Sequence, residues 1–176
     1  MKQYTFDKKN KGYIGDGFEM AIKSALSVKN ADRVSAQGQT DLRYNGKCYD
    51  VKQNGTVIQC GTAKAIKGST RVVYATHVAH TVIAETATTI TIEIDLANTD
   101  MFCVDRDAFV QFLRTSPKNL LKDNGKRNEV NIQTVWNYSK DAYHGHKGLY
   151  IEEWLDENKL IDDSIIEDIL DGFYSM

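Results

Sequence analysis

Asn45-Gly46 is the feature that most restricts what this chain can fold into. The pair stands between two segments of alternating character, Asp41-Leu42-Arg43-Tyr44 and Lys47-Cys48-Tyr49-Asp50-Val51-Lys52. An Asn-Gly connection suits the type I′ turn, whose two central residues both need positive φ and whose twist matches that of the flanking strands. The spacing predicts a tight hairpin in which Tyr44 faces Lys47 and each further pair follows, so that Asp41 lies opposite Asp50. Side chains alternate across a strand, which puts Asp50 and Lys52 on one face and Tyr49 and Val51 on the other.

Charge on a strand face asks for a reason, because strands disfavour it and a buried charge needs a partner. Two neighbouring carboxylates also repel unless a cation lies between them. A hard divalent cation meets that need: magnesium takes oxygen ligands, keeps several waters, and is held by one or two carboxylates together with phosphate oxygens. Asp41 and Asp50 are the expected ligands, and the backbone carbonyl of Val51 can add a third protein oxygen. Such an ion polarises a phosphate and lowers the pKa of an attacking water. Lys52 would orient or help deprotonate that water, or stabilise the developing negative charge, and the sequence leaves these roles open. The plainer reading is a solvent-facing Asp50–Lys52 pair, which stabilises little.

Elsewhere the pattern predicts a first helix from Asp16, as N-cap, to about Val28, with Phe18, Ile22, Ala25 and Leu26 facing inward. A short strand is expected at 32–36. Residues 53–70 carry Gly55, Gly61, Gly68, Lys64 and Lys67 without an acid and read as a flexible basic loop. Strands are expected at 71–75, at 89–95 with Ile90, Ile92 and Ile94 in strict alternation, at 101–104 and at 130–136. Asp105 is placed to cap a helix through Phe109, Phe112 and Leu113, and two short acidic helices are expected at 154–160 and 165–173. This order describes a single α/β or α+β domain across residues 1–176, built around one mixed sheet.

Asp41, with Asp50-Val51-Lys52 beginning nine positions later, resembles the catalytic signature of the PD-(D/E)XK nuclease superfamily. There the first acid opens one strand and the acid–any–Lys triplet lies on its hairpin partner. An upstream helix commonly supplies a further acid, and Gly15-Asp16-Gly17-Phe18-Glu19-Met20-Ala21 is similar to that helix start, with Glu19 in the matching place. The arrangement most resembles Holliday-junction-resolvase-like members, which are small, often dimeric and often carried by mobile elements. The resemblance covers residues 12–115, the expected nuclease core, and leaves 117–176 as additions that include the acidic helices. It implies a restriction-endonuclease-like mixed β-sheet core flanked by helices, with a C-terminal helical extension. It further implies an endonuclease hydrolysing DNA phosphodiester bonds, on branched or duplex DNA, with Mg2+ or Mn2+ as cofactor. Asp41, Asp50 and the Val51 carbonyl would bind the metal, Glu19 would hold a second metal or a bridging water, Lys52 would be catalytic, and a homodimer would cut both strands. The chain departs from the pattern at Thr40, where the superfamily has proline, and at Asp50, where glutamate is more frequent. Glu19 also has a plainer reading, an ion pair with Lys23 one turn on. Gln53 follows the triplet, but alternation points it away from Lys52.

Charge adds a partner expectation. The chain's net charge is −2, yet residues 149–176 hold nine acids against Lys159 alone, a net of −8 that leaves +6 for residues 1–148. Lys64, Lys67 and Arg71 follow the hairpin and would contact phosphates by a sequence-independent electrostatic attraction, or else belong to a solvated loop. The acidic tail would repel a nucleic-acid backbone, so it is expected to point away from the cleft or to contact another protein. Its apolar residues, among them Ile165, Ile169 and Phe173, are expected to pack on the domain or on a second subunit. Three cysteines without ligand spacing, an N-terminus without a secretory core and the lack of a long apolar run point to a cytoplasmic protein away from the membrane. The His77/His80 and His144/His146 pairs lack a third ligand and are given no role. Two rivals from other classes stand beside the nuclease: a catalytically silent nucleic-acid-binding module on the same fold, and a protein-interaction protein that uses its acidic tail.

Overall fold

The computed structural model describes residues 2–29, 41–53, 57–59, 71–105, 129–131 and 163–176. The strand expected at 32–36 and the helix expected at 154–160 lie outside these residues. So does the helix expected after Asp105, together with Lys64, Lys67, His144 and His146.

Helix α1 spans Tyr13–Val28 and buries Gly17, Phe18, Ala21, Ile22, Ala25 and Leu26. These recur three and four residues apart, as one apolar stripe requires. The helix begins a turn earlier than the sequence suggests. Gly12, not Asp16, is the N-cap, and no side chain caps it. Asp16 instead sits in the first turn, where its negative charge faces the positive end of the helix dipole. Its carboxylate accepts from Asn10 Nδ2 at 2.8 Å, and Asn10 Oδ1 accepts from the Gly12 N–H at 2.9 Å. This local network ties Asp16 to the segment entering the helix without capping its first amides.

The strands form two main sheets, not the single mixed sheet expected. Strands β1 (Gln3–Asp7), β6 (His80–Glu85) and β7 (Thr89–Ile94) make an antiparallel sheet in the order β1-β7-β6. Strands β2 (Leu42–Tyr44), β3 (Lys47–Gln53), β5 (Arg71–His77) and β8 (Asp100–Asp105) make a mixed sheet in the order β2-β3-β5-β8. Within the latter, β3 and β5 run parallel and the other pairs antiparallel. A short antiparallel ladder joins β4 (Val57–Gln59), inside the segment expected to be loop, to β9 (Glu129–Asn131). The second sheet arises because β7 finds its partners in β1 and β6, which carry weak local signals. All six residues of β6 are exposed, and β1 half-buries only Tyr4 and Phe6.

Both sheets share one core through α1. Ile92 and Ile94 of β7 approach the helix at Gly17, where an added Cβ would stand 2.9 Å from Ile92 Cδ1. On the other sheet, Leu42, Tyr44, Tyr49, Val51, Val73, Ala75 and Cys103 face the same core. Each large side chain fully enclosed there contributes roughly 1.5–3 kcal/mol of apolar burial. The C-terminal helix, α2 (Asp163–Tyr174), completes it with Ile165 and Ile169. Gly172 of α2 meets α1 backbone to backbone, with Ala25 O only 1.9 Å from the position of a Cβ. The apolar face of this acidic helix therefore packs on the domain. No helix among the described residues is long and apolar enough to cross a membrane.

Candidate functional site

Asn45 and Gly46 have φ of 49° and 74°, the paired positive values of a type I′ turn. The ladder from the turn pairs Tyr44 with Lys47, Arg43 with Cys48 and Leu42 with Tyr49. Beyond Leu42 the pattern changes. Asp41 precedes β2 and does not continue the ladder to Asp50: its N–H donates to the Tyr49 carbonyl at 3.2 Å, and its Oδ2 accepts from the Val51 N–H at 2.8 Å. The side chain has replaced the next backbone acceptor of a strand that has ended. The expected opposition of Asp41 and Asp50 is thus displaced toward Val51.

Tyr49 and Val51 face the core with α1, so alternation turns Asp50 and Lys52 to the other face of the sheet. In the parallel register Asp50 lies beside Val72 and Lys52 beside Tyr74, and Tyr74 packs edge-on against Phe102 with ring centroids 5.4 Å apart. Asp50 is 4% exposed and is the one buried charged side chain among the described residues. A carboxylate in that position requires compensation by hydrogen bonds or positive charge. Lys52, two residues on, is half-buried. The ion pairs among the described residues, Lys8–Glu85, Lys23–Glu19, Lys29–Asp171 and Arg71–Asp105, do not include an Asp50–Lys52 pair. The solvent-facing salt bridge considered for these two residues is therefore not what the hairpin holds.

Glu19 lies elsewhere. Its Oε1 is 2.6 Å from Lys23 Nζ, along a helix that packs on the opposite face of the sheet from Asp50. Among the described residues no three His, Cys, Asp or Glu side chains gather as a metal-binding group. What the hairpin shows is smaller: Asp41, just before β2, bonds the Val51 amide, and Val51 follows the buried Asp50 in β3. Tyr49 C=O and Val51 N–H both point toward β2, and the alternation of backbone groups along a strand directs the Val51 carbonyl to the same side. An all-oxygen set of two carboxylates and a carbonyl suits a magnesium ion that retains water.

Arg71 opens β5 directly across from Asp105, and its Nη1 bonds the Asp105 carboxylate. Its charge is partnered within the sheet, which weakens its candidacy as a phosphate contact. Gln53 takes the core side, as alternation requires, with Nε2 3.0 Å from where a Cβ on Gly15 would stand. The glycine lets the first turn of α1 close onto the end of β3. His80 Nδ1 lies 2.9 Å from the Val78 carbonyl, a local contact at the start of β6. The acidic α2 packs on the core side, where Tyr44 Oη donates to Asp168 Oδ2 at 3.3 Å, so this part of the tail lies across the sheet from Asp50 and Lys52.

Sequence reasoning missed the bond from the Val51 amide to Asp41. The available signal was an aspartate one position before a strand, where a short acceptor can reach a neighbouring backbone N–H. In comparisons with known proteins, no family model matches the chain, and no curated protein and no solved structure matches it significantly.

Proposed function

We propose that the chain is a magnesium- or manganese-dependent nuclease of the PD-(D/E)XK kind, with a restriction-endonuclease-like core, that hydrolyses DNA phosphodiester bonds. One observation carries the reading: a buried aspartate shares a strand face with a lysine two residues on, beside a second carboxylate held at the intervening residue. The element order supports it, since α1, the β2–β3 hairpin and β5 parallel to β3 follow the order that the resemblance implies. The position of α2 across the sheet supports it too, because a polyanion approaching Asp50 and Lys52 would not meet that helix first.

In this reading a bound divalent cation supplies charge neutralisation at the phosphate and acidifies water. Asp41 and Asp50 hold it with the Val51 carbonyl, and Lys52 donates to a phosphate oxygen or orients the attacking water. Glu19 contributes only if it leaves Lys23, and Lys64 and Lys67 would bind the DNA backbone nearby. The activity would serve branched or duplex DNA, and a homodimer would cut both strands.

The test is incubation with supercoiled, linear, single-stranded and four-way-junction DNA, with and without magnesium. Lys52→Ala and Asp50→Asn should each lose at least about 100-fold in cleavage rate. Parent-like cutting by Lys52→Ala would end the assignment. A second reading, a nucleic-acid-binding module without cleavage, draws on Glu19 being committed to Lys23 rather than grouped with the aspartates. It expects DNA binding at low salt with no magnesium heat in calorimetry.

A further inference from the structure

We propose that Asp41 is a positioning residue as well as a cation ligand: Oδ2 holds the Val51 amide, and the second carboxylate oxygen is left for the ion. The inference rests on the cation reading above and deepens it.

The β2 ladder stops at Leu42, paired with Tyr49, while β3 continues to Gln53. From Asp50 onward, β3 is laddered to β5 but no longer to β2. On the β2 side the Tyr49 carbonyl is taken by the Asp41 N–H. The next group pointing that way, the Val51 N–H, has no β2 carbonyl to meet, and Val51 is 7% exposed. An enclosed amide without an acceptor loses its hydration for nothing in return. Asp41 Oδ2 takes it at 2.8 Å, and a charged acceptor makes this bond stronger than an ordinary ladder bond. Fixing that amide also fixes the strand edge that carries the Val51 carbonyl, the third oxygen of the candidate site. The two tasks limit each other, because an ion gripping both Asp41 oxygens would release the amide. Ligation through a single Asp41 oxygen follows, with the carbonyl already in place before the ion arrives.

Amide hydrogen exchange at Val51 in the full-length protein reads this directly, with magnesium chloride as the probe. In the parent protein the Val51 amide should be protected without magnesium and stay at least as protected when magnesium is added. Asp41→Ala should accelerate its exchange about tenfold or more, whereas Asp41→Asn, which keeps an acceptor oxygen, should restore most of the protection and still fail to bind magnesium. The amides of Val73 and Ala75 in β5 report whether each variant keeps its fold. An unprotected Val51 amide in the parent, its release on adding magnesium, or equal exchange in the Ala and Asn variants overturns the proposal. If magnesium perturbs nothing while the Ala and Asn variants still differ, the positioning role stands and the cation reading falls.

Discussion

At the scale of single residues, the hairpin depends on two backbone conformations that few side chains accept. Gly46 has φ of 74° and open space around a would-be Cβ, so a substitution there is strained by the backbone and not by crowding. Gly46→Ala should therefore cost about 1–2 kcal/mol, measured by urea unfolding, and it should loosen the Val51 amide as the turn shifts. Tyr4 presents a different kind of cost. Its hydroxyl oxygen is buried with no hydrogen-bond partner in good geometry, although Ser24 stands close by. Burial raises its pKa above the ordinary 10.0, and Ser24 opposes this only in part. A raised folded-state value means the associated stability is fully present below pH 10.0 and lost as pH rises through the elevated value. Tyr4→Phe should leave stability at neutral pH unchanged or higher and should flatten the loss on the alkaline side. Chemical denaturation across that range checks both signs.

At the scale of elements, the close approaches of α1 rank themselves by what gives way. At Gly17 an added methyl meets the tip of Ile92, a side chain that can rotate aside. At Gly172 it meets the carbonyl of Ala25 at 1.9 Å, which belongs to the backbone of the other helix. Gly172→Ala should consequently be the more damaging of the two, at about 3 kcal/mol or more, because α1 and α2 must separate along their whole contact. Denaturant midpoints for the two variants give the order, and a smaller loss at Gly172 would contradict the helix crossing described. Tyr44 and Asp168 tie the hairpin to the same helix. Tyr44→Phe removes one partly buried hydrogen bond and should cost about 1 kcal/mol.

At the scale of the whole molecule, one core among the described residues serves two sheets and two helices, and Asp50 lies on the far side of the mixed sheet from those helices. Removing residues 163–176 would uncover Ile165 and Ile169 contacts across that core, so the truncated chain should unfold cooperatively at lower denaturant than the full chain. The acidic helix thus has a structural task, whatever else its exposed Glu167 and Asp171 meet.

The sequence by itself determined what acts over a few residues. The Asn45-Gly46 turn, the register that follows from it, the sharing of one strand face by Asp50 and Lys52, and the inward stripes of α1 and β7 all follow from periods of 2 and 3.6 residues. Only the tertiary structure decided what each face would meet. It separated β7 into a second sheet with β1 and β6, turned Asp41 onto the Val51 amide where β2 ran out, bonded Arg71 to Asp105, and packed α1 across the sheet from Asp50. The reason is physical: local pattern fixes which side chains stand together, whereas their partners come from elements distant in sequence and are chosen by packing and by the need of each buried polar group for a bond.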